Sequence, residues 1–189
     1  LGVRSAMPMS RALRLCPGLI VVSPKHKQYS EFSKQVMERL GRLTPLLEQI
    51  SIDEAFLDIS NLRDPPERIA RGLQAGIRDE LGLPSSIGIA TNKLVAKIAT
   101  EVGKKAAKGG APPFALAIVP AGEEAAFLAP LPADMLWGVG PKTAARLAEL
   151  GIHTIGDIAR WPESELTSLF GEHGRDLSRH ARGIDERPI

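Results

Sequence analysis

Cysteine is almost absent from this chain: Cys16 stands alone among 189 residues. No disulfide can therefore form within it, and such usage suits a reducing, cytoplasmic setting. Long apolar runs are missing too. The longest fall well short of the ~20 residues that cross a bilayer, so no membrane segment is expected. The four histidines, His26, His153, His173 and His180, show no metal-ligand spacing. No repeat or low-complexity segment stands out, and no basic-then-apolar leader opens the chain. The first residues, "LGVRSAMP", lack an initiator Met and read as the interior of something longer.

What is present describes a folded protein. A hydrophobic content of 43% and a mean hydropathy near zero support one sizeable core or two small domains. Net charge is only +2, yet it is unevenly spread. Residues 1–44 carry eight Lys/Arg against two acids, and 92–111 carry five against one. The stretch 45–91 has eight acids against four bases, and 112–189 eleven against seven. Two basic blocks flanking an acidic one are open to a polyanion held beside a metal site. An ordinary solvated surface is the competing reading.

Periodicity predicts a short helix in "RALRL", stopped by Pro17, and a longer one with Tyr29, Phe32, Val36, Leu40 and Leu43 on one face. Two strand-like runs follow, Leu46 to Ile52 and Ala55 to Ile59. Next come a helix from about Glu67 to Leu81, a short strand in "SSIGIA", and a helix in "TNKLVAKIATEVGKK" capped by Thr91. "GGAPP" reads as a loop and "FALAIVP" as a strand. The order implies an α+β sandwich whose sheet has one face covered by helices. Beyond Pro120 the chain reads as all helical, with a domain boundary at about 119–122.

Within the strand-like "ISIDEAFLDIS", Asp53 and Glu54 are adjacent carboxylates in an apolar run. On a regular strand they would face opposite ways. Parity changes across them, however: Ile50 and Ile52 carry the apolar face before the pair, Leu57 and Ile59 after it. A turn at 53–54 between two hairpin strands would let both converge, and hard oxygen ligands suit Mg²⁺ or Mn²⁺ rather than zinc. Two such ions can align a phosphate between attacking and leaving oxygens. A solvent-facing hairpin tip is the alternative.

Two further patterns carry charge or backbone donors. Lys93, Lys97 and Lys104 share one helix face, opposite Leu94, Val95, Ile98 and Val102, though a lysine face can also simply keep a helix wet. In "GVGPKTAARLAELGIHTIGDIA", Gly138 and Gly140 flank Val139 in a tight turn, and Pro141 fits a first helical position. Ala144, Leu147 and Ala148 form the expected buried stripe, Gly151 ends the helix, and Thr154 with Asp157 suggests a capping box. This is a helix-hairpin-helix pattern, whose free amides bind phosphate without reading bases and to which Lys142 could add charge. A nucleotide-binding glycine loop and a purely structural αα-hairpin are its rivals.

Taken together these strings resemble a known family. "SIDEAFLDIS" is similar to the signature of the Y-family (translesion) DNA polymerases of the DinB or polymerase IV class. "GVRSAMP" followed by "LCP" resembles their fingers, "SSIGIATNKLVAKIAT" the strand and helix after their active-site hairpin, and "WGVGPKTAARLAELGIHTIGDIA" their thumb. The resemblance implies a ferredoxin-like palm sheet covered by helices, with partial fingers at 1–24, palm at 25–120 and an all-α thumb at 121–189. It implies that Asp53 ligates the catalytic metals, two Mg²⁺ with Mn²⁺ as a substitute, and that Glu54 binds the one near the primer 3′-hydroxyl. Ser51 would lie close to the incoming nucleotide, and Lys104, rather than its neighbour Lys105, would reach the triphosphate. Ala6, Met7 and Pro8 would lie against the nascent base pair, with Arg4 toward the template.

The implied partners are primer-template DNA and deoxynucleoside triphosphates, with a sliding clamp reached through family peptides beyond the C-terminal end, and a monomeric state. The family's first catalytic Asp, its aromatic steric gate and its triphosphate-holding Tyr and Arg have no counterpart here. Its little-finger domain lies past "RGIDERPI". The chain alone is therefore expected to polymerise weakly or not at all. A non-catalytic primer-template clamp and a palm-type nucleotidyl cyclase are the other readings. The hairpin argues against a cyclase, which holds no duplex.

Overall fold

The computed structural model describes residues 2–107 and 114–189, so the "GGAPP" loop lies outside the described residues. The first part runs α1 (Met9–Leu15), α2 (His26–Leu43), β1 (Leu47–Gln49), β2 (Ala55–Leu57), α3 (Pro66–Leu81), β3 (Ile87–Ile89), α4 (Lys93–Ala106) and β4 (Leu116–Ile118). Five helices follow: α5 (Glu124–Leu128), α6 (Pro141–Glu149), α7 (Ile155–Arg160), α8 (Glu163–Phe170) and α9 (Glu172–Ala181). The α+β class and the all-helical second part agree with the sequence reading.

Local chemistry sets the helix ends. Pro66 occupies the first turn of α3, where its missing N–H costs no bond, and Gly82 closes that helix in the left-handed region at φ 65°. Helix α4 is capped by Asn92, whose side chain accepts from the Val95 amide, and not by Thr91. The Thr91 hydroxyl turns away to donate to Glu124.

The strands are shorter than expected and pair in two ladders. β1 and β2 are antiparallel, with Glu48 opposite Phe56; β3 and β4 are parallel, joined across α4. Gly88 lets β3 press onto α4, because a Cβ there would lie 2.6 Å from the Thr100 hydroxyl and closer still to the Ala96 carbonyl. Gln74, buried in α3, donates to the Ser85 and Ala115 carbonyls and so ties that helix to both strands. Among the described residues no ladder joins β2 to β3. Between them opens a cleft of about 960 Å³, walled by Leu57, Ile59, Leu73, Ile87 and Ile89 and by the α2 face with Phe32, Val36 and Leu40.

The main core lies on the other side of α4. Leu94, Val95, Ile98 and Ala99 join Val119, Leu128, Leu136, Leu147, Ile155, Leu166 and Leu177 in one cluster. Residues 2–24 stay largely at the surface: Ile20 is 86% exposed, and of α1 only Ala12 is buried. Cys16 is only partly covered because α1 packs through little beyond Ala12. No helix among the described residues is long and apolar enough to cross a membrane.

Candidate active site

The carboxylate pair occupies a bend. Gln49 pairs with Ala55, leaving 50–54 as the connection, where the Ile50 and Ser51 amides both donate to the Glu54 carbonyl at 3.0 and 3.3 Å. Strand alternation is interrupted there, so Asp53 and Glu54 sit in one bend between the strands. The Ser51 hydroxyl donates to Asp53 Oδ1 at 2.7 Å, and the Asp53 amide donates back to it at 3.3 Å, which orients the aspartate. Glu54 accepts from Lys97 Nζ at 2.7 Å. Asp53 is exposed and Glu54 half-buried.

The lysine stripe is only partly a solvated face. Lys93 Nζ lies 2.6 Å from Glu48 Oε2 and 2.6 Å from the Pro188 carbonyl, and its side chain is 10% exposed. Lys97 is similarly occupied by Glu54. Lys104 pairs with Glu101 at 2.9 Å, within its own helix. It lines the cleft that holds Glu54 and Lys97, about 10 Å along α4 from Lys97 at the usual rise per residue, whereas Lys105 does not line it. None of residues 2–24 lines that cleft, Arg4, Ala6, Met7 and Pro8 included.

Two hard carboxylates in a solvent-open bend fit Mg²⁺, which keeps several waters and takes further ligands from substrate phosphates. Among the described residues no group of three or more His, Cys, Asp or Glu is placed to hold a metal. At this bend the structure offers two carboxylates, Asp53 and Glu54, and Glu54 is paired with Lys97.

Around the glycine turn, the Val139 amide donates to the Leu136 carbonyl at 2.9 Å, and Gly138 takes φ 99°, a conformation a side chain would strain. Val139 is buried, anchoring the loop, while Gly138, Gly140 and Lys142 are exposed. Gly140 caps α6 without a side-chain bond, which leaves the amides of the first turn open to an outside acceptor. Leu147 is fully buried and Ala144 half-buried, but Ala148 is exposed, contrary to expectation. It lies a further step of about 100° round the helix from Leu147, off the packed stripe. Thr154 and Asp157 form the expected capping box. Bonds from the Thr154 amide and hydroxyl, then from the His153 amide, hold the Asp157 carboxyl down to about 2.

Sequence reasoning missed the groups that tie these parts together. Trp137, directly before the glycine turn, lies 6.0 Å from Phe56, with Lys97 Nζ 5.8 Å and the Arg187 guanidinium 4.5 Å from its ring. Asp185, with a side chain only 1% exposed, accepts from the Leu94 amide at 3.1 Å and from Arg187 at 2.7 Å. Burial pushes that carboxyl up, but the bonds from Arg187 and Leu94 outweigh it and hold it below the usual range. One local signal was available: an aromatic beside each motif, Phe56 after Glu54 and Trp137 before Gly138.

The profile of the impB/mucB/samB family matches residues 1–101, more than half the chain. The chain belongs to this family. A second profile, the thumb domain of DNA polymerase-iota, matches residues 134–185, the segment that holds the hairpin. Relatives include the DNA polymerase IV of Desulfatibacillum aliphaticivorans, 42% identical over all of this chain and 46% of its own length. That of Stenotrophomonas maltophilia strain K279a is 44% identical and covered to 50%. The crystal structure of DinB from Sulfolobus solfataricus matches with a TM-score of 0.87 at 30% identity, over the whole of this chain and 54% of that one. An insertion ternary complex of Dbh DNA polymerase matches at 0.84 and 29%, again over the whole chain and 54% of the other. The Y-family resemblance read from the sequence holds. This family member spans about half the length of the curated relatives it matches.

Proposed function

We propose that this chain carries part of the catalytic machinery of a low-fidelity, translesion-type DNA polymerase that adds deoxynucleotides to a primer 3′-hydroxyl. The observation that carries the reading is the Asp53–Glu54 bend opening into the cleft that Lys97 and Lys104 also line. We assign 1–24 to partial fingers, 25–120 to the palm and 121–189 to the thumb. Asp53, held by Ser51, and Glu54, held by Lys97, are the residues that would bind two Mg²⁺. The metals, when bound, supply positive charge that aligns the triphosphate and stabilises its transition state.

The chain's own part is to position and to neutralise. Lys104 extends a mobile ammonium toward the triphosphate and follows the leaving pyrophosphate. The amides around Gly138, Val139 and Gly140, with Lys142, grip a DNA phosphate without reading sequence. Protein and DNA meet as a monomer on a primer-template, and a clamp is reached through sequence outside this chain. The open cleft beside β2, together with the half-length match to the relatives, supports weak or absent activity for the 189 residues alone.

The test is primer extension with Mg²⁺ by the full-length protein and by its Asp53→Ala and Glu54→Ala variants. Each variant should lose at least about 100-fold in rate while keeping duplex binding. Binding should weaken steeply with salt. Extension that survives both substitutions would leave the pair structural. The hairpin would then act as a primer-template clamp without chemistry.

A further inference from the structure

Trp137 opens the thumb string, outside the glycine turn itself, and it touches both the turn and the β2 side of the carboxylate bend. Its backbone enters the Leu136–Val139 turn that shapes the hairpin loop. Its ring packs at 6.0 Å and a 44° tilt on Phe56, two residues past Glu54 on β2. Lys97, the ion partner of Glu54 at 2.7 Å, holds its ammonium 5.8 Å from the same ring. The Arg187 guanidinium lies at 4.5 Å and is fixed by buried Asp185, which also receives the first-turn amide of α4. An indole ring is the best aromatic partner for such cations, and it has few torsions to lose when held. Carboxylate, ammonium, ring and loop therefore form one continuous chain of contacts.

We infer that Trp137 is a positioning residue: it sets where the phosphate-gripping loop sits relative to the Asp53–Glu54 bend, so that a gripped duplex presents its primer end at the carboxylates. This rests on the polymerase reading. A phosphate grip only binds DNA, whereas a grip held in register with the metal-binding bend also determines how often the reacting oxygen is in place. Removing the ring should loosen that register while leaving the exposed amides of α6 able to bind phosphate. Displacement by about 1 Å from a site away from the chemistry costs on the order of 100-fold.

The experiment uses the full-length protein, and single-turnover insertion is compared with duplex affinity for wild type, Trp137→Ala, Trp137→Phe and Phe56→Leu. The maximal insertion rate of Trp137→Ala should fall about 30-fold with the duplex dissociation constant changed less than about threefold, and Trp137→Phe should recover most of the rate. Phe56→Leu, which keeps apolar volume, should show the same rate-only defect and covers the case in which Trp137→Ala does not fold. Equal loss of binding and rate, or an unchanged rate in both ring-removing variants, would overturn the inference.

A second readout is independent of activity. In a background in which Trp161 and any tryptophan outside these 189 residues are changed to Phe, Trp137 is the sole tryptophan. Mn²⁺ should quench its emission, and Glu54→Gln should abolish that response. If wild type fails to extend primers, the polymerase reading fails. The inference falls with it; where wild type does extend primers, an emission that Mn²⁺ does not move would reject the inference alone.

Discussion

Helices α5 to α9 and the stretch from α2 to β3 solve the burial problem differently. In the former, Leu128, Leu147, Ile155, Ile158, Leu166 and Leu177 are all fully buried, because short amphipathic helices fold back on one another and on α4. In the latter, Leu40 and Ile77 are buried, but Phe32 is 43% and Ile52 49% exposed, and an apolar cleft remains between the two ladders. The closed half can hold a hairpin rigid, while the open half leaves its carboxylates at a wet edge. Rigidity and access are thus divided between the two sides of α4, and the polar bridges crossing it carry the register from one to the other.

That contrast can be broken by substitution. Leu166→Ala in the closed half should cost about 3 kcal/mol, whereas Leu73→Ala on the cleft wall should cost about 1 kcal/mol or less, both read by urea unfolding. Equal costs would mean that the cleft is as well packed as the helical core. Asp185→Asn keeps the shape of the bridge but removes its charge, and should cost about 2 kcal/mol with unfolding still in a single transition. Loss of the hairpin cap in Thr154→Ala should cost about 1 kcal/mol, confined to the helical half and detectable by hydrogen exchange in α7.

The smallest effect expected is a pH dependence. The Asp157 carboxyl is lowered in the folded protein, so its contribution is complete above about pH 4, the unfolded range, and fades as pH falls toward about 2. Asp157→Asn should flatten that part of the acid unfolding profile. A profile unchanged by the substitution would remove the cap from the account.

Much of this was legible in the residues. The parity change across Asp53–Glu54 located the bend because side-chain alternation is a strictly local signal. The Thr154–Asp157 box was readable for the same reason. Thr91 and Asn92 can both cap α4 by sequence, and only the fold, which sends Thr91 to Glu124, leaves the cap to Asn92. Ala148 looked buried because an alanine suits either face of a helix. The lysine stripe gave a face but not its partners: Glu48 on β1 and Glu54 in the bend after it lie 45 and 43 positions away. Trp137 and Asp185 were missed because their partners come from distant parts of the chain. The division of the strands into two ladders depends on hydrogen bonds that no periodicity records.

The bond between the Leu94 amide and the Asp185 carboxylate spans 91 positions. It also fixes an order of events during synthesis. The bend at Asp53–Glu54 and the β3–α4–β4 unit leave the ribosome long before residue 185 has been made. At roughly 5–20 residues per second, the first turn of α4 waits on the order of ten seconds for its acceptor. Until then Arg187 cannot hold the Trp137 ring, and Lys93 lacks the Pro188 carbonyl. These ties form only after residues 185–188 have emerged, so the β3–α4–β4 unit can fold before its neighbours are locked to it.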